Sequence, residues 1–403
     1  MRKSITVETG LEKALDSVTL VAAGDHLFTS GIAPDRPGSL ESQARQVFQR
    51  VAGLLHDAGS SLDDAVRTRA FFTERGGEAA IRAVHAGVFG NRGPALSTIR
   101  MTCLPRGVGV VVEVEAVKGA GKAATRHRPK PEWGTCQAVK AGREIFVSGM
   151  TVEWLQGTGD DRRASAGESP TGRSAAARPA GRTAQATPPA HERQVAQVCD
   201  AVTAACRDLG ASLADVLATR HFDPVDVHRH SFQGPALEEF RTPGEPTSAG
   251  ITVEGVGEGM TFMLEIDAVA GSASERRNLR TGRTFEVEHH YSRSVRVGDI
   301  VYVAGSTSLV PGEIVRHPGE VAGQVVDTLE TIRKTIESQG LAWSDLVRTR
   351  SYIVGGPSKL DEATAALKSV IGGMGTVATV TGVPVLGRPE VVVEIEATAV
   401  KST

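Results

Sequence analysis

The hydrophobic positions of the chain fall into three passes of one pattern. Each pass contains a Gly-bearing turn followed by a short apolar run that ends near a glycine: LFTSGIAP over 27–34, IFVSGMTV over 145–152 and VYVAGSTS over 301–308. Short β-rich runs on either side of such a turn predict a hairpin. A stretch with apolar residues three and four apart follows, over 41–59, 192–210 and 321–340, ending on Gly59, Gly210 and Gly340. That spacing predicts an amphipathic helix, and the terminal Gly suits its left-handed cap. A turn and a strand with a recurring arginine come next, in SLDDAVRTRAFF, SLADVLATRHFD and LAWSDLVRTRSYI. A second helical pattern lies near 78–90, 226–241 and 357–371. A β-rich run closes each pass: VVVEVEAV (110–117), FMLEIDAV (262–269) and VVVEIEAT (391–398).

The intervals mark true repeats. Gly59 to Glu113, Gly210 to Glu265 and Gly340 to Glu394 span 54, 55 and 54 residues. The first halves vary more, and the middle copy carries an excess between about 156 and 190. That excess is rich in Ala, Gly, Ser, Thr, Pro and Arg and holds almost no large apolar residue. Such a composition cannot bury enough surface to fold, so the segment is expected to be disordered. Two polar stretches, 119–131 and 271–284, read as linkers. The expected organisation is three ββαβαβ domains, at 1–118, 131–270 and 285–401. The expected class is α+β, with helices on one sheet face and the other faces packed together around a pseudo-threefold axis.

Composition narrows the function. The chain has 403 residues, 40% of them apolar but only 4% aromatic, so its cores must be built from Val, Ala, Leu and Ile. Net charge is −2, which argues against a nucleic-acid partner. No stretch approaches the roughly 20 apolar residues that span a bilayer, and no apolar run follows the basic start, so a cytoplasmic protein with no membrane partner is expected. Cys103, Cys136, Cys199 and Cys206 form no CxxC and read as free thiols, most of them buried. There is no HExxH, no phosphate loop and no dinucleotide fingerprint, so no metal and no cofactor is expected.

Taken together, the Ser-Gly after a hairpin (Ser30-Gly31, Ser148-Gly149), the turn Ala58 to Asp64, the strand Val66 to Phe71 and the closing V-E-x-E-A strand resemble the YjgF/RidA superfamily of reactive-intermediate deaminases. The resemblance implies a chorismate-mutase-like fold and homotrimers with a site at each subunit interface. Here one chain would supply all three subunits, as a monomeric pseudo-trimer with three unequal clefts. The family's deaminases hold the substrate carboxylate with an Arg before the last strand. Leu96, Ser248 and Ala378 stand at that position, so ordinary 2-iminobutyrate deamination is not expected. The family's aromatic near the first strand survives as Tyr291, with Ser17 and Thr135 at the matching positions.

The final strands keep paired acids that share a strand face: Glu113 and Glu115, Glu265 and Asp267, Glu394 and Glu396. The resemblance makes the first of each pair, Glu113, Glu265 or Glu394, the candidate proton donor or water holder, with Tyr291 beside it. A carboxyl in a partly closed apolar cleft keeps its proton and suits acid catalysis. Arg69, Arg220 and Arg350 are candidate anchors for a substrate carboxylate, with a bridge to the acidic strands as the alternative, and Ser30 and Ser148 are candidate binding residues. His221 reads as a packing residue that could approach a cleft. The pairs His228/His230 and His289/His290 face apart. The expected function is cofactor-independent acid/base hydrolysis or tautomerisation of a small imine, enamine or enol with a carboxylate or carbonyl, in a specialised biosynthetic pathway. Two alternatives remain. One is a non-catalytic binder or scaffold. The other is an enol-ether hydrolase like the chorismatases, which share the trimer-like architecture in one chain.

Overall fold

The computed structural model describes residues 2–6, 14–155, 189–228 and 234–402. The segment expected to be disordered, 156–190, lies outside these except for its last two residues, which begin a helix.

The first repeat runs β1 Arg2–Ile5, β2 Leu20–Ala23, β3 His26–Thr29, α1 Leu40–Asp57, β4 Ala65–Phe72, α2 Glu78–Phe89, β5 Ala95–Arg100 and β6 Val110–Val117. After α3 Ala120–Ala123 and β7 Thr125–Lys130, the second runs β8 Thr135–Ala141, β9 Glu144–Met150, α4 Pro189–Asp208, β10 Val216–Pro224, α5 Val225–His228, α6 Pro235–Arg241, β11 Thr247–Val253 and β12 Met263–Val269. After β13 Arg277–Leu279 and α7 Thr284–Glu288, the third runs β14 Ser294–Val297, β15 Ile300–Ser306, β16 Leu309–Val310, β17 Ile314–Val315, α8 Val321–Ser338, β18 Leu346–Val354, α9 Pro357–Ile371, β19 Val377–Val383 and β20 Val393–Val400.

Two sequence expectations change. Each repeat is ββαβαββ, with one strand more than expected: β5, β11 and β19. These strands read ALSTIR, TSAGITV and VATVTGV, in which small and hydroxyl residues hide the apolar alternation. Each pairs parallel with the arginine strand before it, reached through a helical crossover. The expected linkers also carry strands, since β7 pairs with β8 and β13 with β14.

Helices cover one face of each sheet. Val47, Phe48 and Val51 of α1 pack on Ala70, Phe72, Val112 and Val114. Val195, Val198 and Val202 of α4 pack on Ile145, Leu264 and Ile266, and Val325, Leu329 and Ile332 of α8 on Val303, Ile353 and Ile395. Aliphatic residues dominate all three cores, as the low aromatic content requires.

At each junction the penultimate strand of one repeat meets the opening hairpin of the next. Ala95 on β5 pairs with Cys136 on β8, and Gly149 N–H donates to Ser97 Oγ at 3.0 Å. Ser292 N–H donates to Pro246 O at 3.0 Å between the second and third repeats, and Gly31 N–H to Ala378 O at 3.4 Å between the first and third. On the faces away from the helices, Phe71, Phe222 and Tyr352, at matching positions of the three repeats, join one apolar cluster with Val111 and Met263.

Next to that cluster lies a buried group of ten charges. Arg67 Nη1 is 2.5 Å from Asp267, and Arg69 is 2.8 Å from Glu265 and 2.6 Å from Glu115. Arg220 lies 2.6 Å from Asp267 and also bonds Glu396 through Nε. Arg350 is 2.5 Å from Glu113 and 3.2 Å from Glu396, and Arg348 is 2.6 Å from Glu115. Arginines of repeat one thus reach acids of repeat two, two reaches three, and three reaches one. Five arginines meet five carboxylates, and all ten are buried. Burial alone would raise the carboxyl of Glu396, but Arg220 and Arg350 outweigh it and hold it far below the usual range. Glu115, Glu265 and Asp267 are lowered against burial in the same way, chiefly by Arg348, Arg69 and Arg67 respectively.

The register corrects the sequence alignment of the last strands. Arg69 faces Glu113 and Arg220 faces Glu265, but Arg350 faces Glu396 rather than Glu394. Glu394 faces Tyr352, as Val111 faces Phe71 and Met263 faces Phe222. The third strand is shifted by two residues against its sequence match. A shift of two keeps every side chain on its own face, so V-E-x-E reads the same in either register.

Two outcomes follow. Glu396→Gln strands Arg220 and Arg350 and should cost about 3–5 kcal/mol in urea unfolding at neutral pH, whereas Glu394→Gln should cost none. A large loss from Glu394→Gln with none from Glu396→Gln would restore the sequence register. The lowered acids also fix a sign with pH. Their stabilisation is complete above the unfolded carboxylate pKa of about 4 and is lost as pH falls toward their folded values. Unfolding free energy should therefore drop below about pH 4, and a flat profile from pH 6 to pH 3 would contradict the cluster.

Candidate active site

The three opening hairpins each end in a glycine that the final strand of the same repeat covers. A Cβ on Gly31 would meet Val111 at 2.7 Å, and one on Gly149 would meet Met263 Sδ at 2.5 Å. A Cβ on Gly305 would land on Glu394 Oε1, with Ala249 of repeat two behind it. The same place is thus apolar at two junctions and a carboxyl at the third.

The three junctions are also filled differently. Between repeats one and two, Trp133 and Trp154 meet edge to face at 5.4 Å over a small cavity of about 240 Å³. The Arg82 guanidinium lies 3.9 Å from the Trp133 ring and pairs with Glu153 at 2.8 Å, which seals that junction. Between repeats three and one, Val111 and Thr379 crowd Gly31. Between repeats two and three a cleft of about 1050 Å³, counted to its open mouth, holds Glu394, Tyr291, Arg293, Arg283, His221 and Asp223.

Glu394 is half-buried and makes no ion pair among the described residues. Burial pushes its carboxyl up to about 8, Glu396 next along the strand adds to the rise, and Arg293 opposes it. It therefore carries a proton at neutral pH, unlike Glu115, Glu265, Asp267 and Glu396 of the ion cluster, which the arginines hold low. Arg293 is buried and fixed from behind: its Nε donates to Glu286 Oε1 at 3.0 Å and Nη2 lies 2.9 Å from the same oxygen. Glu286 is itself held by Thr281 N–H at 2.7 Å and Thr281 Oγ1–H at 2.6 Å. Arg283 lines the cleft and forms no ion pair among the described residues. Arg388 is bound to Glu313, which ties the β16–β17 turn to the 384–391 loop at the mouth. Tyr291 follows α7, and burial raises its hydroxyl above the usual range, so it stays a neutral donor.

On the repeat-two wall, burial raises Asp223 to about 8 against the pull of Arg241. Burial, with Arg241 and two more distant histidines, lowers His221 well below its usual value. With both acids protonated, Arg283, Arg293 and Arg388 stand against Glu313 in the lining and Glu286 behind Arg293, three positive charges to two negative. The cleft is therefore electropositive and suits a small anion.

Of the sequence candidates, Glu394 and Tyr291 come together here. Glu113 and Glu265 lie in the ion cluster, held by Arg350 and Arg69. Arg69, Arg220 and Arg350 lie there too, facing the protein's own carboxylates, so they are not placed to anchor a ligand in the cleft. Ser148 Oγ–H donates to Gln137 O at 3.0 Å, and Ser30 is buried in the first repeat. Ser248, at the lost arginine position, lines the cleft, while Leu96 lines the sealed junction. Thr135 also lines the sealed junction, and Ser17 is buried. The His228 side chain and His230 lie outside the described residues, and His289 Nδ1 is 3.2 Å from Glu238. Sequence reasoning missed Arg293, Glu286 and Asp223. Arg293 stands two residues beyond Tyr291 and Asp223 two beyond His221, and that spacing of two was the available signal. Among the described residues no three metal-ligating side chains cluster and no helix is long and apolar enough to cross a membrane. Cys136, Cys199 and Cys206 are buried free thiols and Cys103 is half-buried.

Comparison with known proteins bears on family and fold. A RutC family protein of Pyrococcus horikoshii is 30% identical over 104 residues, covering 24% of this chain and 81% of its own. The mitochondrial protein Mmf1 of Saccharomyces cerevisiae is 33% identical over 102 residues, covering 24% and 70%. A Mycobacterium tuberculosis member of the YjgF/YER057c/UK114 family is 32% identical, covering 31% of this chain and 98% of its own at a TM-score of 0.28. A chorismatase structure is only 12% identical but covers 84% of this chain and 93% of its own at a TM-score of 0.53, a likeness of fold alone. The sequence pattern of the family described as Endoribonuclease L-PSP matches residues 13–118 and 281–401, more than half of the chain. With the same order of strands and helices recurring between those segments, the chain belongs to the Endoribonuclease L-PSP family, the YjgF/RidA proteins.

Proposed function

We propose that this chain is a pseudo-trimeric, cofactor-independent enzyme that protonates a small anionic enol, enamine or imine in the cleft between repeats two and three, then hydrolyses or tautomerises it. The observation that carries this reading is the placement of Glu394. Five of the six final-strand acids are neutralised by arginine, and the sixth has no ion pair among the described residues and lies at the cleft with its proton retained. The pseudo-threefold arrangement is supported by the three equivalent junctions and by the ion pairs that run from one repeat to the next in order.

In this reading Arg293, held still by Glu286, binds the substrate carboxylate together with Arg283. Such an anchor in a partly closed site positions the reacting atoms before any chemistry occurs. Glu394 gives its proton to the basic nitrogen or the nucleophilic carbon of the substrate. The cation so formed adds water, and the water's proton returns to the Glu394 carboxylate, which Arg293 stabilises meanwhile. The resulting carbinolamine or hemiketal then takes that proton on its nitrogen or ether oxygen. The C–N or C–O bond breaks, and ammonia or the alcohol leaves as the carbonyl forms and its hydroxyl proton returns to Glu394. For tautomerisation the substrate's own proton returns instead. The Tyr291 hydroxyl is a neutral donor for the substrate's oxygen. An enol ether, the substrate form that the name of the chorismatase neighbour suggests, uses the same acid. Leu96, Ser248 and Ala378 leave no arginine where the family's imine deaminases need it. The ribonuclease of the family's description is not our reading, because the chain is slightly acidic and poor in aromatics for stacking.

The test is turnover by purified protein of 2-iminobutyrate, 2-aminoacrylate and the enol ether chorismate. We expect 2-iminobutyrate to stay near background. For the substrate that is turned over, Glu394→Gln should lower kcat by about 10²–10⁴-fold. The rate should be flat below about pH 8 and fall tenfold per unit above it, as Glu394 loses its proton. Full activity in Glu394→Gln, or a rate that rises through pH 8, sinks the assignment. Gly305→Ala should displace the carboxyl and lower kcat with the fold intact. A stability measurement needs no substrate. An acid whose folded pKa is raised loses stability as pH climbs from its unfolded value, about 4.3, to its folded one. Glu394→Gln should therefore unfold at higher denaturant than the parent at pH 8, with the gap closing toward pH 4.

A further inference from the structure

His221 and Asp223 take no part in the reaction described above, yet they occupy positions that the other two repeats use for packing. On β10 they stand where repeat one has Ala70 and Phe72 and repeat three has Ser351 and Ile353. Of those, Ala70, Phe72 and Ile353 belong to the cores between sheet and helices. In repeat two this place is polar, only 4% exposed at His221 and 8% at Asp223, and open to the cleft. Burying polar groups costs free energy unless they find partners, so a polar pair where the other repeats are apolar or small needs a reason.

The neighbouring residues fix how the pair presents itself. Gly250 lies beside His221 on β11, and a Cβ there would land on the imidazole ring. The matching positions, Thr98 and Val380, adjoin the small Ala70 and Ser351. The glycine and the histidine therefore go together, one making the space the other fills. The fully buried Arg241 holds Nη2 3.2 Å from His221 Nδ1. A guanidinium only donates, so Nδ1 must be the accepting nitrogen and the proton sits on Nε2. The ring is stacked on Phe262 at 6.0 Å between centroids and cannot turn freely. Nε2 is 3.5 Å from Asp223 Oδ2, longer than a direct hydrogen bond and suited to an oxygen between or beside the two groups.

Resting on the reading of this cleft as a ligand site, we infer that His221 and Asp223 form a subsite for an uncharged oxygen of the ligand, a hydroxyl or carbonyl, at the repeat-two wall. Arg293 and Arg283 take the anionic end, and the ligand spans the cleft between the two walls. A site built to hydrogen-bond an oxygen rejects the analogue without it, because its own polar groups are then left unpaired. The subsite thus sets specificity rather than rate.

The probes are trans-4-hydroxycyclohexanecarboxylate and cyclohexanecarboxylate, an anion with and without a remote hydroxyl. The full chain, labelled with ¹⁵N-histidine, is titrated with each, and the His221 Nε2–H signal is assigned through His221→Gln. The hydroxy acid should bind at least tenfold more tightly and move that signal, and the deoxy acid should leave it in place. Asp223→Ile, which installs the residue of repeat three, should cut the preference below threefold. If that variant does not fold, the wild-type ratio decides alone. Equal affinity for the two acids, binding of neither, or an unmoved His221 signal overturns the subsite. Turnover plays no part in the measurement. A lost preference with Glu394-dependent turnover fails only the subsite, and a preference without such turnover fails only the proposed reaction.

Discussion

The exchange of arginine–carboxylate pairs between successive repeats is the constraint on which the rest of the molecule depends. Each repeat alone has a sheet with helices on one face and charged side chains on the other. An unpaired buried charge is prohibitive, so no repeat can bury its second face by itself. Contact with the other two supplies the partners: Arg69 reaches Glu265, Arg220 reaches Glu396, and Arg350 reaches Glu113. Phe71, Phe222 and Tyr352 supply the apolar contact beside them, and the Tyr352 hydroxyl donates to Glu396 at 2.9 Å. Such pairs add little net stability over apolar packing, but they penalise any mispairing of repeats and so specify the register of the junctions.

Charge balance in that cluster explains the cleft. Five arginines accept five acids, and repeat two contributes one arginine fewer than its neighbours because Ala218 stands where they have Arg67 and Arg348. Repeat three places Thr398 where they have Glu115 and Asp267, so the count closes without Glu394. The carboxyl two residues earlier then faces a cleft rather than a guanidinium. Its protonated state follows from burial with no ion-pair partner among the described residues. The other junctions, closed by a tryptophan pair and by Val111 with Thr379, show what the same scaffold does when it packs instead of opening. Three copies in one chain let one junction specialise while the others keep the fold together.

Much of this was legible in the sequence. The recurring order of hairpin, helix, arginine strand, helix and acidic strand followed from capping glycines and constant intervals, because a left-handed helix end and a fixed sheet width leave few alternatives. The resemblance implied three clefts, of which the one between repeats two and three is open while the other two junctions are packed, and Glu394 with Tyr291 was among the named residues. Three things were hidden. Strands β5, β11 and β19 lack a plain alternation. The two-residue shift of β20 is invisible because strand periodicity is two, and so Glu394 looked equivalent to Glu113 and Glu265. The roles of Arg69, Arg220 and Arg350 turned on which sheet faces meet, and composition carries no record of that. Arg293 and Asp223 gain meaning only when two repeats come together.

The protonation state of Glu394 is the most direct point at which the account can be tested. With ¹³C label on the glutamate carboxyls and Glu394→Gln for assignment, the Glu394 signal should titrate with a midpoint near pH 8, while that of Glu396 should show an ionised carboxylate throughout the neutral range. A midpoint for Glu394 near 4.5, the value of a free glutamate side chain, would contradict it. The carboxyl would then be an ordinary solvated group, and neither the closed ion cluster nor the acid in the cleft would stand as described.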